Sequence, residues 1–285
     1  IKVIPGKKAI MGPGHLVIED VDIPFLGLPE AFFPLSSGPK SGILMPSYGE
    51  EARRGFFMRG LGYYFTLGEH MDLTLTGGIY TLGSWEVNAA SRYIKRYKYS
   101  GNLDFDFTSV RSGDKGDPDF VKQNTYKLQW THAQDTKANP GSTFSASVNL
   151  SSSGYSKYSA TNLNDMLSTQ TNSSISYSKN WAGTPFSLSM NMAVSQNSQT
   201  EAISVTLPNI SFNVSKFFPF KRSVKLGKDR WYEKISMSYS GKITNSVNAS
   251  EKNIFSRETL DNMRNGVQHS IPVQASFNVF NYLNI

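Results

Sequence analysis

The chain has 285 residues, enough for one large β domain or two ordinary ones, and no cysteine, which excludes disulfide and thiol chemistry. Only 18% of residues are charged while 13% are aromatic, and no run of about 18 apolar residues exists, so no transmembrane helix is expected. The net charge of +7 comes from scattered lysines and arginines, the densest run being Arg92 to Lys98 (RYIKRYK), so no nucleic-acid partner is expected.

Residues 1–35 hold Pro5, Pro13, Pro24, Pro29 and Pro34, five of the thirteen prolines, and the alternating stretch His15 to Ile23 (HLVIEDVDI). This reads as the end of a preceding β module and a proline-stiffened linker. Residues 36–285 read as part of a β-barrel. The start at Ile1 and the finish inside FNVFNYLNI suggest a piece of a longer chain.

From residue 72 onward, period-two segments recur. Leu73, Leu75 and Ile79 are in phase. Leu103, Phe105 and Phe107 alternate with Asn102, Asp104 and Asp106, and Tyr126, Leu128 and Trp130 with Lys127, Gln129 and Thr131. Phe144 to Ser151, Phe186 to Ser195, Ile235 to Ser240 and Val273 to Val279 repeat the pattern. In FSLSMNMAVS the polar side is Ser, Asn and Ala with no Lys or Glu.

Roughly a dozen strands of about 8–12 residues emerge, longer than the usual five or six and suited to a tilted bilayer crossing. A membrane barrel hides from hydropathy averages because its two faces cancel. The fold class expected is all-β: an antiparallel transmembrane β-barrel fragment preceded by the end of a β-jellyroll.

The connections alternate imperfectly between short (67–70, 82–84, 181–185) and long (111–122, 152–171, 216–229, 244–268). Leu163 to Gln170 and Ser256 to Asn265 look locally helical and are expected to lie over a loop surface. Ile203, Val205 and Leu207 are out of phase with Ile210, Phe212 and Val214, so a bulge is expected at Pro208.

Trp85, Trp181, Trp231 and Tyr232 sit near strand ends, as do Tyr63, Tyr64 and Phe65, which suits a membrane–water girdle better than a soluble core. Chemistry-bearing motifs are missing. His15, His70, His132 and His269 are scattered, and there is no GxSxG, Walker or GxGxxG motif, so neither a metal, a cofactor nor an enzymatic activity is expected. Asp114, Asp117 and Asp119 could offer calcium ligands, but their spacing around Pro118 reads as a solvated loop tip. Asp104 and Asp106 read as lumen-facing charges.

Residues 22–99 carry a more specific order: IPFLGLP and FFPL, then PKSGILMP, a GYYF strand, a turn into DLTL, and a GSW hairpin into a strand ending near RYIKRY. This order resembles the LptD family, the outer-membrane lipopolysaccharide (LPS) translocons, in the style of its Bacteroidetes branch. The resemblance implies a large barrel around a plug lipoprotein of the LptE type, and a periplasmic jellyroll fed by a bridge protein of the LptA type. It implies delivery of LPS to the outer leaflet, among outer-membrane lipids, with the N-terminal end periplasmic.

The family's lateral gate maps onto Pro34 and Pro46, which flank Ser41 to Met45. Proline cannot donate to a ladder, so the pair marks a seam, although ordinary turn prolines explain the same residues on composition alone. Arg53, Arg54 and Arg59 beside the seam are candidate contacts for LPS phosphates. The family often carries cysteines tying jellyroll to barrel, and none occurs here.

The alternative is a porin or nutrient-transporter barrel, which predicts inward-folded loops with charge rings. A soluble solenoid or adhesin would need charged residues where Phe, Leu and Met face outward.

Overall fold

The computed structural model describes residues 2–4, 8–18, 21–28, 31–34, 40–113, 116, 120–222, 224, 227, 230–254, 256–275, 278–279 and 283–284. Side chains at 8–9, 15–39 and 276–285 are outside that description, as are the acidic loop residues Asp114, Asp117 and Asp119. The chain divides into two compact units, Ile1–Ser41 and Gly42–Ile285.

The first unit holds β1 (Lys2–Ile4), β2 (Lys8–Met11), β3 (Gly14–Ile18), β4 (Val21–Leu28) and β5 (Ala31–Pro34). β2 lies between β1 and β5, and β3 pairs with β4. The stretch His15 to Ile23 is thus divided between two paired strands rather than one.

The second unit is a 14-stranded antiparallel meander. Its strands are β6 (Gly42–Leu44), β7 (Ser47–Glu51), β8 (Gly55–Thr66), β9 (Met71–Tyr80), β10 (Trp85–Lys95), β11 (Tyr99–Ser112) and β12 (Val121–Gln134). After them come β13 (Ser142–Ser151), β14 (Gln170–Asn180), β15 (Phe186–Asn197), β16 (Ala202–Phe217), β17 (Ile235–Ser250), β18 (Arg264–Ser270) and β19 (Val273–Ala275). β20 (Asn278–Val279) and β21 (Leu283–Asn284) pair only with each other. From β8 to β18 each strand pairs with its sequence neighbour. β6 and β7 share one edge position on β8, and β18 and β19 share one on β17. Among the described residues the two ends of this wall are not paired to each other.

Register separates the faces. Tyr63, Leu75, Ala89, Phe105, Leu128 and Leu150 are consecutive cross-strand partners, all small apolar or large apolar. One residue along, Tyr64, Thr74, Ala90, Asp104, Gln129 and Asn149 form the opposite face. Large apolar side chains such as Ile43, Phe56 and Ile79 are 58–70% exposed. A soluble sheet would cover them, whereas lipid tails solvate them without cost.

On the polar face hydroxyls pair across strands. Ser145 Oγ lies 2.7 Å from Ser176 Oγ, Thr143 Oγ1 lies 2.7 Å from Ser178 Oγ, and Ser240 Oγ donates to Asn213 Oδ1 at 2.8 Å. Small uncharged groups that bond to one another cover this face, in keeping with the absence of Lys and Glu from FSLSMNMAVS.

The expected fault at Pro208 is present. β16 holds one extra residue between Thr206 and Asn209 relative to both neighbours, and this restores Ile203 and Ile210 to the same face. The connections 52–54, 81–84, 152–169 and 198–201, with the described residues between β11 and β12 and between β17 and β18, define the first rim. Those at 67–70, 96–98, 135–141 and 181–185, with the described residues between β16 and β17, define the second.

Candidate functional site: the faulted first strand and the cleft behind it

The first barrel strand is split. β6 and β7 pair with β8 in a single register, Leu44 with Gly62 and Ser47 with Arg59, so Met45 and Pro46 interrupt one continuous edge position. The same level of β8 is faulted toward β9, where Arg59 pairs with Gly78 but Leu61 with Gly77. The extra residue is Gly60, at φ +81, a left-handed conformation that a side chain would strain.

Both strands change phase there. Ile43 and Met45 lie exposed on the apolar side with Leu61 and Tyr63, whereas Ser47, Gly49 and Glu51 are on the polar side with Arg59 and Phe57. Proline contributes no N–H, and the bulge misaligns the next ladder, so the edge is weakly held at one level. Pro34 ends β5 opposite Lys8 in the other unit. The strand expected over Ser41 to Met45 is the shorter β6.

Behind the fault, the three arginines behave differently. Arg54 is 6% exposed and grips Glu51 bidentately, Nε to Oε2 at 2.7 Å and Nη2 to Oε1 at 3.1 Å. Its guanidinium lies 4.1 Å over the Tyr80 ring and 3.7 Å from Glu86, which also accepts from Tyr80 Oη at 2.8 Å. This cluster pins the first hairpin to β9 and β10, because a buried guanidinium needs carboxylates around it. Arg59 lies over Phe57 at 4.6 Å and 3.6 Å from Glu51, with 38% of its side chain exposed. Arg53 is exposed and donates through Nη1 to the Lys157 carbonyl at 3.3 Å.

Lys157 belongs to the long connection 152–169, which holds α1 (Tyr155–Tyr158) and α2 (Leu163–Leu167). Asn162 caps α2 by accepting from the Asp165 N–H at 2.8 Å. This segment does more than cover a loop surface. It folds onto the polar face of the wall, correcting the expectation from sequence. Lys127 of β12, only 8% exposed, is met by Asp165 at 2.5 Å. Thr125, fully buried, is 2.5 Å from Ser159 Oγ, and Tyr155 Oη reaches Asp106 Oδ2 at 3.5 Å. Burial pushes the Tyr155 phenol up, and the Asp106 and Asp165 carboxylates reinforce the shift. A lysine buried on a strand requires a counter-ion, and the loop supplies it.

The hairpin tip and this loop bound a cleft of about 570 Å³ lined by Glu51, Arg53, Arg59, Lys157, Thr161 and Met166. Arg54, committed to its carboxylates, supports its floor. Asp104 and Asp106 lie on the polar face as expected, bonded to Asn102 at 2.8 Å and Asn88 at 2.6 Å.

Two of the scattered histidines have tyrosine partners that the sequence reading did not anticipate. His132 and His269 lie on the apolar face, each bonded to a tyrosine. The signal was available, because His132 is in phase with Tyr126, Leu128 and Trp130.

A long antiparallel meander with an apolar outer face, a hydroxyl-lined inner face and a loop folded inward is a wall of a membrane β-barrel. A family model described as LptD protein matches residues 9–285, and the chain belongs to that family. An LPS-assembly protein LptD from Burkholderia ambifaria is 30% identical over 113 residues, 40% of this chain and 13% of that protein. One from Bordetella pertussis is 37% identical over 73 residues, 26% of this chain and 9% of that protein. The matched part is therefore a small share of those relatives' length. A crystal structure of an OccD1 (OprD) variant aligns over 94% of this chain and 75% of its own at 11% identity, with a TM-score of 0.33, too low to carry an argument.

Proposed function

We propose that the chain forms part of the barrel of an LPS translocon in the outer membrane, with the first strand as one lip of a lateral gate. The N-terminal unit is the periplasmic jellyroll end. Sugars cross the hydroxyl-lined lumen, and acyl chains pass sideways at the level of Pro46, with Pro34, in the N-terminal unit, the other gate proline that the family resemblance implies.

The observation that carries this reading is the coincidence of Pro46 and the Gly60 bulge at one level of the wall. A wall meant only to be tight gains nothing from two ladder faults side by side. The phosphates of the lipid meet Arg53, Arg59 and Lys157 in the cleft behind the fault, while Arg54 holds the hairpin. The protein works by lowering a path for a lipid rather than by making bonds. LPS, an LptE-type plug, an LptA-type bridge and the surrounding outer-membrane lipids are its partners.

The test is photo-crosslinking in cells with the full-length protein. A crosslinker at Ser47 or Arg53 should capture LPS far more efficiently than one at Met190 on the distant wall. Equal capture at all three positions, or none near the fault, rejects the reading.

A second reading, a diffusion pore, is favoured by one feature: the loop 152–169 folded onto the polar face. It predicts that the purified full-length protein, with its plug bound, conducts ions steadily in a planar bilayer. A closed bilayer record rejects it.

A further inference from the structure

The second rim carries a feature that the proposed function leaves unassigned. At the foot of β10 to β13 an aromatic cluster lies on the apolar face. Tyr99 and His132 stack with ring centres 6.0 Å apart, and Tyr93 and Phe144 stand 5.7 and 5.2 Å from His132. A polar chain runs through it. Trp130 Nε1 lies 2.9 Å from Tyr93 Oη, which lies 2.9 Å from His132 Nδ1. Indole nitrogen only donates, so Tyr93 Oη accepts from Trp130, and it also lies 3.4 Å from the Thr131 carbonyl, an acceptor for the phenol proton alongside His132. Gly101, paired with both Tyr93 and His132, makes room: a Cβ there would collide with Tyr93 Oη.

The arrangement occurs twice. Tyr239 Oη lies 2.7 Å from His269 Nδ1, and a Cβ on Gly241, the pairing partner of His269, would come within 2.6 Å of that oxygen. Phe212 and Phe186 extend this second cluster, with centroid separations of 6.2 and 6.0 Å.

A hydrogen-bonded polar chain is costly in hydrocarbon and favourable at headgroup depth, which places the second rim at a bilayer surface. Basic residues gather at the same level. Lys137 Nζ stands 5.4 Å over Tyr97, Lys179 Nζ 5.2 Å over Trp181, and Lys216 and Lys221 each 5.6 Å from Phe218. Tyr97 holds a left-handed φ of 61° and is 66% exposed, a conformation that strains a bulky residue. Among the described residues the carboxylates near this rim are Glu69, Asp72, Asp135 and Glu233; Asp72 accepts from Tyr64 Oη and the Arg92 N–H, and Glu233 is engaged by Arg222. Next to Tyr97 a cleft of about 210 Å³ is lined by Lys95, Arg96, Tyr97, Tyr99, Gln134 and Asp135.

We propose that this cleft binds the phosphodiester headgroup of an anionic glycerophospholipid, with the acyl chains lying along Tyr99, His132 and Phe144. Lys95, Arg96 and the neighbouring Lys98 supply the charge, and the aromatic chain sets the depth. The inference needs only the barrel wall and the second rim, so it stands apart from the LPS reading.

The test uses the full-length protein in detergent, stripped of lipid and re-exposed to equimolar phosphatidylglycerol and phosphatidylcholine, with retained lipid read by native mass spectrometry. The wild type should keep phosphatidylglycerol preferentially. Lys95→Gln, Arg96→Gln and Lys98→Gln together should cut that preference roughly fivefold or more, the scale basic residues carry near an anionic surface. Lys122→Gln with Lys252→Gln, which removes charge at the first rim, should leave it unchanged. No preference in the wild type, or an equal fall in both variants, overturns the proposal. If the triple variant does not assemble, the wild type decides alone: the preference should collapse between low and high salt, and a salt-independent preference overturns the proposal.

Discussion

Pro46 faces Gly60 across the first two strand positions of the wall, because Leu44 pairs with Gly62 and Ser47 with Arg59 in one register. One residue withholds a donor and the other holds a left-handed turn, so two strands lose ladder bonds at the same height. Pro46→Val returns an N–H to the edge. The expected result is slower amide exchange from Leu44 to Tyr48 in the full-length protein and, under the proposed function, weaker LPS delivery to the surface. Exchange that does not slow removes Pro46 from the account of the seam.

Arg54 and Arg59 differ in kind although they lie on the same face. Arg54 is buried between Glu51 and Glu86, so Arg54→Met strands two carboxylates and should destabilise the barrel by about 3 kcal/mol. Arg59 is 38% exposed in its side chain, and Arg59→Gln should cost under about 1 kcal/mol. Denaturation of the refolded protein in detergent, followed by heat-modifiable gel mobility, measures both. Equal losses contradict the assigned roles.

The two-faced alternation and the bulge at Pro208 were legible because each rests on local periodicity, whereas β11 and β12 run to 14 residues and β16 and β17 to 16, beyond the expected span of about 8–12. β17 was only half legible. The alternation Ile235 to Ser240 continues to Ser250 although Gly241, Lys242 and Asn245 blur it, since pairing with β16 on one side and β18 on the other carries the strand onward. β18 likewise emerged from a stretch read as loop, and it is exposed along its length. The arginines near the seam could be picked out by type but not sorted. Whether an arginine points at carboxylates or at a cleft depends on Glu86, more than thirty residues away in sequence. The loop 152–169 and its helix at Leu163–Leu167 were legible, but its placement was not, because the partners that hold it, Lys127, Thr125 and Asp106, are on two other strands.

Glu233 gives a pH dependence outside the membrane-spanning segments. Hydrogen bonds from the Arg222 guanidinium, at 2.5 and 3.1 Å, and from the Arg230 N–H at 2.7 Å hold its carboxyl down to about 2 from an ordinary value of 4.5. A depressed carboxylate contributes stability that is complete above its unfolded value and is lost as pH falls through the folded one. The 218–234 connection should therefore resist proteolysis unchanged from pH 7 to pH 5 and become increasingly cleavable from about pH 4.5 toward 2. Glu233→Gln should be cleavable throughout, with a flat profile. A wild type as resistant at pH 2.5 as at pH 7 contradicts the clip.

Gly101 and Gly241 occupy matching places beneath tyrosines, yet alanine should act differently at each. At Gly101 a Cβ meets both Tyr93 Oη and the Thr131 carbonyl, and a backbone oxygen cannot step aside. At Gly241 the three nearest atoms all belong to the Tyr239 side chain, its Oη at 2.6 Å and ring carbons at 3.1 and 3.2 Å, and that side chain can rotate away. Gly101→Ala should therefore lower the yield of heat-modifiable barrel and its resistance to denaturant. Gly241→Ala should assemble normally but free the His269 ring from Tyr239, seen as altered imidazole resonances in NMR of the labelled protein. The reverse order of damage, or identical behaviour, means that the two tyrosine–glycine–histidine sets are not built on the contacts described.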